Sequence, residues 1–335
     1  MPGAARIVIH PKRKMKKIFN EFIRAAEEIC VLGHISPDGD CVGSTLAIRN
    51  YIRSMDPEKK VTVYLEEPSE KLAYLEGYRE ICTENCVEKS YDLCIVCDCG
   101  DPERTGKFLK YLATARKSFM IDHHKTNQGF CDAYMLVPGA SSTCELVYNL
   151  LETEYLNREI CECIYTGIIH DTGVFKYNST TAHTHEVAGK CIETGIDFGR
   201  IIDDSFYSMT LKQRRLLGKV LTEIQETPDG RFVYSILDNK TMREFGIENS
   251  RETDGYVDLI RNTRGAKGGL FVYQIPDGHF KASLRSNCEE LDVSVIAVKR
   301  GGGGHKMAAG CILSQDYRND IREIIAEVEE QLDRK

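Results

Sequence analysis

The sequence predicts an α/β protein with two domains. Short apolar runs alternate with helical patterns in the first half of the chain, and a charged helical stretch covers residues 201–225. Strands separated by helices form parallel sheets, and 335 residues are many for one core. We therefore expect an N-terminal parallel-sheet domain with helices on both faces (1–190), a helical linker (191–226) and a smaller α+β domain (227–335).

Hydrophobic patterning predicts the elements of the first domain. Apolar residues at helical spacing indicate an amphipathic helix over Ile18–Ile29, and Val42–Ile52 is predicted as a second helix. The segment Ser141–Glu145 is typical of a capped helix start. Four short apolar runs predict buried strands: Ile29–Leu32, Val61–Leu65, Leu93–Cys97 and Ser118–Ile121.

The second domain is predicted to follow a long connecting helix. Apolar residues at helical spacing indicate one continuous helix over Ile201–Gln225, which ends at the turn Thr227–Gly230. The elements predicted beyond the turn are the strands Phe232–Leu237, Gly269–Gln274 and Lys281–Arg285 and the helix Asp316–Leu332.

Composition excludes several classes of protein. No window approaches 18 uninterrupted apolar residues, and no apolar region follows the basic N-terminus, so we expect neither a membrane span nor a secretory signal. The 14 cysteines are expected to be reduced, in a cytoplasmic protein. Cys94 and Cys97, for example, should point to opposite faces of a strand. The net charge of −7 argues against long nucleic acid as a ligand and is compatible with small anions.

Six carboxylate or imidazole side chains lie at the ends of predicted core elements. Such groups are costly to bury unless a partner binds them. Three of them follow predicted strands, and ligands of parallel sheets collect at the carboxyl ends of the strands. Two histidines and four aspartates suit a hard divalent ion such as Mn²⁺ better than structural zinc. The six residues are His34, Asp38, Asp40, Asp98, His123 and Asp171.

Each segment taken alone also has an ordinary structural interpretation. Asp38–Asp40 is a common turn motif, although His34 lies four residues upstream of it. Asp98 could cap the next helix. His170–Asp171 ends a helical segment, in which the histidine is expected to be a packed core residue. In Asp122–His124, the aspartate could orient an imidazole. Their combination favours a metal site.

A glycine run followed by a histidine predicts phosphate binding. Gly301–Gly304 allow successive backbone N–H groups to approach an anion. His305 and the N-terminus of a following helix would add a positive field. Arg285 follows a predicted strand and could grip phosphate with two N–H groups. The alternatives are a flexible loop and a surface arginine.

Together these motifs resemble the DHH phosphoesterase family, in its two-domain form with the DHH-associated C-terminal domain. The resemblance runs from Gly33 to Gly310, with the motifs in the expected order. Each motif alone is weak, whereas the ordered set is specific. In length and layout the chain is most similar to the nanoRNase type, the bifunctional oligoribonuclease and PAP phosphatases (PAP is 3′-phosphoadenosine-5′-phosphate).

The resemblance implies two Mn²⁺ ions, for which Mg²⁺ or Co²⁺ could substitute. Asp98 matches the carboxylate that bridges the ions, and His124 matches a histidine that contacts the scissile phosphate, which implies that both are catalytic. The other metal positions match in two sets, His34 and Asp38 for one ion, and Asp40, His123 and Asp171 for the other. The positions that match a substrate-phosphate site are Arg285, Gly302, Gly303, Gly304 and His305.

The function implied is hydrolysis of a phosphoester by two metal ions that activate a bridging water. The implied substrates are short RNA or DNA oligonucleotides, cleaved to mononucleotides, and nucleotide phosphates such as PAP. The alternative is the same chemistry on cyclic dinucleotides or on linear pApA and pGpG. Two further hypotheses are a nucleotide-binding regulator without turnover and a redox or zinc protein built on the cysteines. The sequence leaves the polarity of attack and the oligomeric state open, a homodimer included.

Overall fold

The computed structural model describes residues 12–84 and 88–334. Residues 1–11 and 85–87, which belong to the first predicted domain, and residue 335 lie outside the described residues. The chain divides into two compact units between Ser208 and Met209. This division falls within the stretch predicted as a linker, 191–226.

The first unit alternates strands and helices. Its strands are β1 (Glu28–Leu32), β2 (Lys60–Tyr64), β3 (Leu93–Cys97), β4 (Lys117–Asp122) and β5 (Ala133–Leu136). Its helices are α1 (Lys12–Ala25), α2 (Gly39–Met55), α3 (Leu109–Thr114), α4 (Thr143–Leu150), α5 (Arg158–Asp171), α6 (Ala182–Glu193) and α7 (Phe198–Ile202). The four predicted strands are all present, within one or two residues of the predicted bounds.

The strands form one parallel sheet in the order β2-β1-β3-β4-β5. Alternate residues of the central strands face two separate apolar clusters. Ile95 and its neighbours pack with residues of α1, α2, α4 and α5, whereas Val96 packs with Phe108 and Tyr111 around α3. The prediction of a parallel sheet with helices on both faces is therefore confirmed. Burial on both faces also explains the almost continuous apolar runs.

The cysteines of the sheet lie where the strand pattern predicts. Cys94 belongs to the cluster around α3, and Cys97 belongs to the cluster on the opposite face. All cysteines within residues 12–84 and 88–334 have free thiols. The prediction that Cys94 and Cys97 point to opposite faces is confirmed, so this pair cannot bind one metal ion together.

The prediction of one continuous helix over Ile201–Gln225 is wrong. α7 ends at Ile202, a π-helical turn covers Asp203–Tyr207, and a new helix, α8 (Leu211–Thr222), begins after Thr210. The Thr210 hydroxyl accepts the N–H of Gln213, whose side chain in turn accepts the N–H of Thr210. This reciprocal cap stabilises a helix start inside the predicted helix.

The second unit, which begins at Met209, is an α+β unit with a mixed six-stranded sheet in the order β10-β11-β9-β8-β7-β6. Only β7 and β8 are parallel neighbours. The strands are β6 (Gln225–Glu226), β7 (Phe232–Leu237), β8 (Gly268–Gln274), β9 (Phe280–Ser286), β10 (Gly303–His305) and β11 (Ala308–Ile312). The helices that follow α8 are α9 (Asn239–Glu244), α10 (Tyr256–Arg261), α11 (Val293–Val298) and α12 (Tyr317–Asp333). This architecture confirms the predicted α+β class. Within the described ranges, no helix combines the length and the apolar character needed to cross a membrane.

Candidate active site

The acidic and imidazole residues of the first unit converge at one edge of its sheet. His34, Asp98 and His123 follow β1, β3 and β4 by one or two residues. Because these strands are parallel, their carboxyl ends lie at the same edge. Asp38 and Asp40 reach this edge from the start of α2, where Asp38 is the N-cap and accepts the N–H of Asp40 at 3.1 Å.

All six predicted metal positions fall into two groups that meet at Asp98. Within each group, the candidate ligand atoms lie within 4.8 Å of one another. The groups are His34, Asp38 and Asp98, and Asp40, His123 and Asp171, and a further group of Asp98, His123 and His124 overlaps them. Oδ2 of Asp98 lies 3.5 Å from Nε2 of His34, and Oδ1 of Asp98 lies 3.6 Å from Nε2 of His123. One carboxylate therefore faces both groups.

Backbone carbonyls orient the two imidazoles. Nδ1 of His34 lies 2.8 Å from the carbonyl oxygen of Ile35, and Nδ1 of His123 lies 3.2 Å from that of Ala140. A carbonyl oxygen can only accept, so each Nδ1 carries the proton. In a neutral ring the Nε2 lone pair then points into the cluster, which is the arrangement that a metal ligand requires.

Helix α4 holds the aspartates from the other side. The backbone N–H groups of Thr143 and Cys144 donate to the carboxylate of Asp40 at 2.7 and 2.9 Å, and the Thr143 hydroxyl donates to Asp98 at 3.0 Å. Asp98 itself has a left-handed backbone with φ of 54°, which costs energy in any residue except glycine. The sequence does not indicate this role of Thr143, because the segment Ser141–Glu145 predicts only a helix cap. The cap itself is confirmed, since Ser142 accepts the N–H of Glu145.

A buried aspartate, Asp122, orients His124, whereas the neighbouring His123 faces the carboxylates of the cluster. Oδ1 of Asp122 lies 2.7 Å from Nδ1 of His124, and Oδ2 of Asp122 accepts the Asn127 amide at 2.6 Å. The Asp122 carboxylate raises the pKa of His124, so that this half-exposed imidazole is stabilised as a cation. The sequence predicted that Asp122 orients an imidazole without deciding which one, and Asn127 gave no recognisable signal.

The crowded carboxylates of the cluster favour protonation of the groups around them. Burial alone would lower the pKa of His34 and His123, but the surrounding carboxylates raise both to about 10. Burial raises the pKa of Asp40 far above its usual range and that of Asp171 to about 6. Protons on these groups therefore compensate for the crowding of four carboxylates. Divalent cations would supply the same charge, so the oxygen and nitrogen donors present fit hard metal ions.

His170 lies beside the cluster and packs against apolar surroundings. Its ring centroid is 4.8 Å from that of Phe206, and a Cβ on Gly39 would lie 2.1 Å from the imidazole. Burial lowers the pKa of His170 to about 4, so the ring is neutral at physiological pH. These contacts agree with the predicted packed histidine.

In the second unit, the glycine run has a different setting from the predicted one. Its last two glycines begin the hairpin β10–β11, and the next element of the described residues is therefore a strand and not the predicted helix. The N–H groups of Gly301 and Gly302 donate to carbonyls at the end of α11, so these two glycines cannot form the predicted anion nest. A Cβ on Gly302 would lie 2.2 Å from the Gly310 carbonyl, and one on Gly304 would lie 2.5 Å from the Ala308 carbonyl. Close packing against β11 therefore explains why both positions require glycine.

Arg285 and His305 lie at the same level of this sheet. Each pairs with Ala308, from β9 and from β10 respectively. His305 and Gly303 are exposed, and no heavy atom of the described residues lies within 4 Å of a Cβ built on Gly303. The Arg285 guanidinium lies 3.5 Å from Asp258. The structure thus places these predicted phosphate residues on the two strands that flank β11.

The comparisons with known proteins agree with this arrangement. Residues 28–168 match the model of the DHH family, N-terminal domain, and residues 229–334 match the DHHA1 domain. The bifunctional oligoribonuclease and PAP phosphatase NrnA of Thermus thermophilus is 27% identical over 95% of this chain and 94% of that protein. The cyclic-di-AMP phosphodiesterase PdeA of Listeria monocytogenes is 26% identical over 96% of this chain and 49% of that protein.

A solved structure supports the fold independently. The crystal structure of an exopolyphosphatase-related protein from Bacteroides fragilis superimposes with a TM-score of 0.86 and 24% identity, and covers 98% of both chains. Fold, motifs and relatives define a hydrolase that acts on phosphoester bonds. The chain belongs to the DHH family of phosphoesterases, in the form that carries a DHHA1 domain.

Proposed function

We propose that the protein is a metal-dependent phosphodiesterase that hydrolyses short oligonucleotides to mononucleotides, and PAP to AMP. The observation that carries this proposal is the carboxylate of Asp98, whose two oxygens face two separate groups of candidate metal ligands. A pair of metal ions is the usual solution for in-line displacement at phosphorus. The similarity to NrnA along nearly the whole chain supports the choice of substrates.

The two groups would hold one ion each, and Mn²⁺ is the ion we propose. His34 and Asp38 would bind the first ion, and the second would be bound by Asp40, His123 and Asp171, with Asp98 shared. The ions would supply Lewis-acid stabilisation of phosphate charge and lower the pKa of a coordinated water. The nitrogen and oxygen donors suit Mn²⁺, although Mg²⁺ and Co²⁺ are compatible with the same set.

The protein's own residues contribute orientation and charge. Thr143 holds Asp98 in place through its hydroxyl, and α4 fixes Asp40 through two backbone N–H groups. His124, whose pKa is raised by its hydrogen bond to Asp122, would donate to a non-bridging oxygen of the scissile phosphate. Nδ1 of His124 lies 3.8 Å from Oδ1 of Asp98, so the imidazole is beside the carboxylate that the two ions would share. Asp98 and His124 are therefore the residues that we propose as catalytic.

We assign the binding of a further substrate phosphate to the second unit. Arg285 and His305 would bind it from the two strands that flank β11, with Gly303 allowing close approach of the backbone. Gly302 and Gly304 would act indirectly, because they allow β10 to lie against β11. The net charge of −7 agrees with short substrates, because long nucleic acids require an extended basic surface.

The experiment that tests this function is mononucleotide release from a 5′-phosphorylated RNA dinucleotide, in Mn²⁺ and in chelator. The same assay would be run on PAP. We expect release from both substrates in Mn²⁺ and none in chelator. Asp98→Ala should abolish turnover, because it removes the shared carboxylate. A fully active Asp98→Ala protein, or cleavage unaffected by chelator, would contradict the proposal.

The second candidate function is hydrolysis of cyclic dinucleotides or of their linear products pApA and pGpG. The similarity to PdeA favours it, although this chain spans about half the length of that protein. Rates on cyclic and linear dinucleotides, compared at equal concentration, distinguish the two candidates. Faster cleavage of the cyclic form would replace the first candidate with the second.

A further inference from the structure

Arg104 is an exposed residue beside the acidic centre that has no role in the function described above. It lies in the helical turn Pro102–Phe108, which follows β3. Its carbonyl oxygen accepts the N–H of Ile35 at 2.7 Å, which ties its backbone to the loop that carries His34. The Thr105 hydroxyl donates to the Pro102 carbonyl and stabilises the turn itself. The backbone of Arg104 is therefore fixed next to the cluster.

Within residues 12–84 and 88–334, the guanidinium of Arg104 has no carboxylate acceptor. Its Nη2 lies 3.4 Å from Nδ1 of His34, but that nitrogen already lies 2.8 Å from the Ile35 carbonyl and must donate to it. Two donors therefore face each other. Among the described residues, no carboxylate oxygen lies within 4.0 Å of this guanidinium. A planar cation with five N–H groups is thus available at the edge of the acidic centre.

The simplest alternative is an ordinary solvated arginine. Three other exposed arginines of the same unit, Arg24, Arg79 and Arg116, each pair with a carboxylate at 2.7–3.2 Å. Arg104 lies beside a dense group of carboxylates and still forms no such pair.

We propose that Arg104 binds a phosphate group of the substrate at the acidic centre. This inference rests on the proposed phosphodiesterase function and adds a substrate-binding residue to it. A guanidinium donates two parallel N–H bonds to phosphate oxygens. Its charge also reduces the repulsion between an anionic substrate and the carboxylates around Asp98. Arg104 therefore contributes mainly to substrate affinity.

The test compares Arg104→Ala and Arg104→Lys with the wild-type protein. KM and kcat are measured on the 5′-phosphorylated RNA dinucleotide in Mn²⁺, and the affinity for AMP, a product that cannot be cleaved further, is measured by calorimetry. Arg104→Ala should raise KM and weaken AMP binding by about 10- to 100-fold, with a smaller change in kcat. The KM and AMP affinity of Arg104→Lys should lie between those of Arg104→Ala and wild type. Added guanidinium should partly restore both values in Arg104→Ala and should not change them in wild type or Arg104→Lys.

The controls separate this role from a structural one. Arg116→Ala removes an exposed arginine that pairs with Asp92, and it should leave KM and AMP affinity unchanged. Mn²⁺ affinity and Tm should be the same in Arg104→Ala and wild type. Unchanged KM and AMP affinity in Arg104→Ala, or a loss explained by weaker Mn²⁺ binding, would overturn the inference alone. A wild-type protein that neither cleaves the dinucleotide nor binds AMP would overturn the proposed function as well.

Discussion

Loading the metal-free protein with Mn²⁺ should release protons into solution. The carboxylates around His34 and His123 outweigh their burial and raise the pKa of both imidazoles to about 10, so both are cations at pH 7. Each must lose a proton before Nε2 can bind a metal ion. We expect release of about two protons per protein at pH 7, plus a contribution from Asp40, whose pKa burial also raises. The overall binding constant for two ions should then rise about 100-fold per pH unit.

Isothermal titration calorimetry in buffers of different ionisation enthalpy measures this number. His34→Gln should release about one proton fewer than wild type, whereas His279→Gln, a change at an exposed histidine of the second unit, should release the same number. The metal-free fold should also lose stability as the pH rises through about 10. The raised pKa values stabilise it fully only below the unfolded value of 6.5. Metal binding without proton release at pH 7 would refute this account of the charge in the cluster.

Three further predictions concern single side chains. Asp122→Asn should lower kcat about 10- to 100-fold, because the charge-assisted bond to His124 is lost, and unchanged kcat with normal Mn²⁺ affinity would contradict this. Its activity should also begin to decline at a lower pH than that of wild type, because Asp122 raises the pKa of His124; superimposable pH profiles would argue against this. Thr143→Val should weaken Mn²⁺ binding about tenfold, because the hydrogen bond from its hydroxyl to Asp98 is lost. Calorimetry measures this affinity, and Thr114→Val, at an exposed site, is the matched control. Arg285→Ala should raise KM for the dinucleotide about tenfold or more without changing Mn²⁺ affinity, and equal KM values would remove Arg285 from the phosphate site.

The strands that carry the site were predictable from local pattern. A strand buried on both faces requires an uninterrupted apolar run, and β1, β3 and β4 each have one. β5 was not predicted, since its four residues are mostly half-buried and give a weaker signal. The break before α8 was also missed, although the Thr210–Gln213 capping box is visible in the sequence.

The sequence by itself determined the α/β class, the α+β class of the second unit, and the position of His34, Asp98 and His123 at one sheet edge. These conclusions depend on periodicity and on which residues follow each strand, and both are local properties. Only the tertiary structure showed that Asp98 faces both ligand groups, that Asp122 orients His124, and that Arg104 has no carboxylate acceptor among the described residues. These relations depend on distances between side chains, which the packing of the elements decides. Packing also decides where the hairpin that begins in the glycine run lies, because β11 pairs with β9.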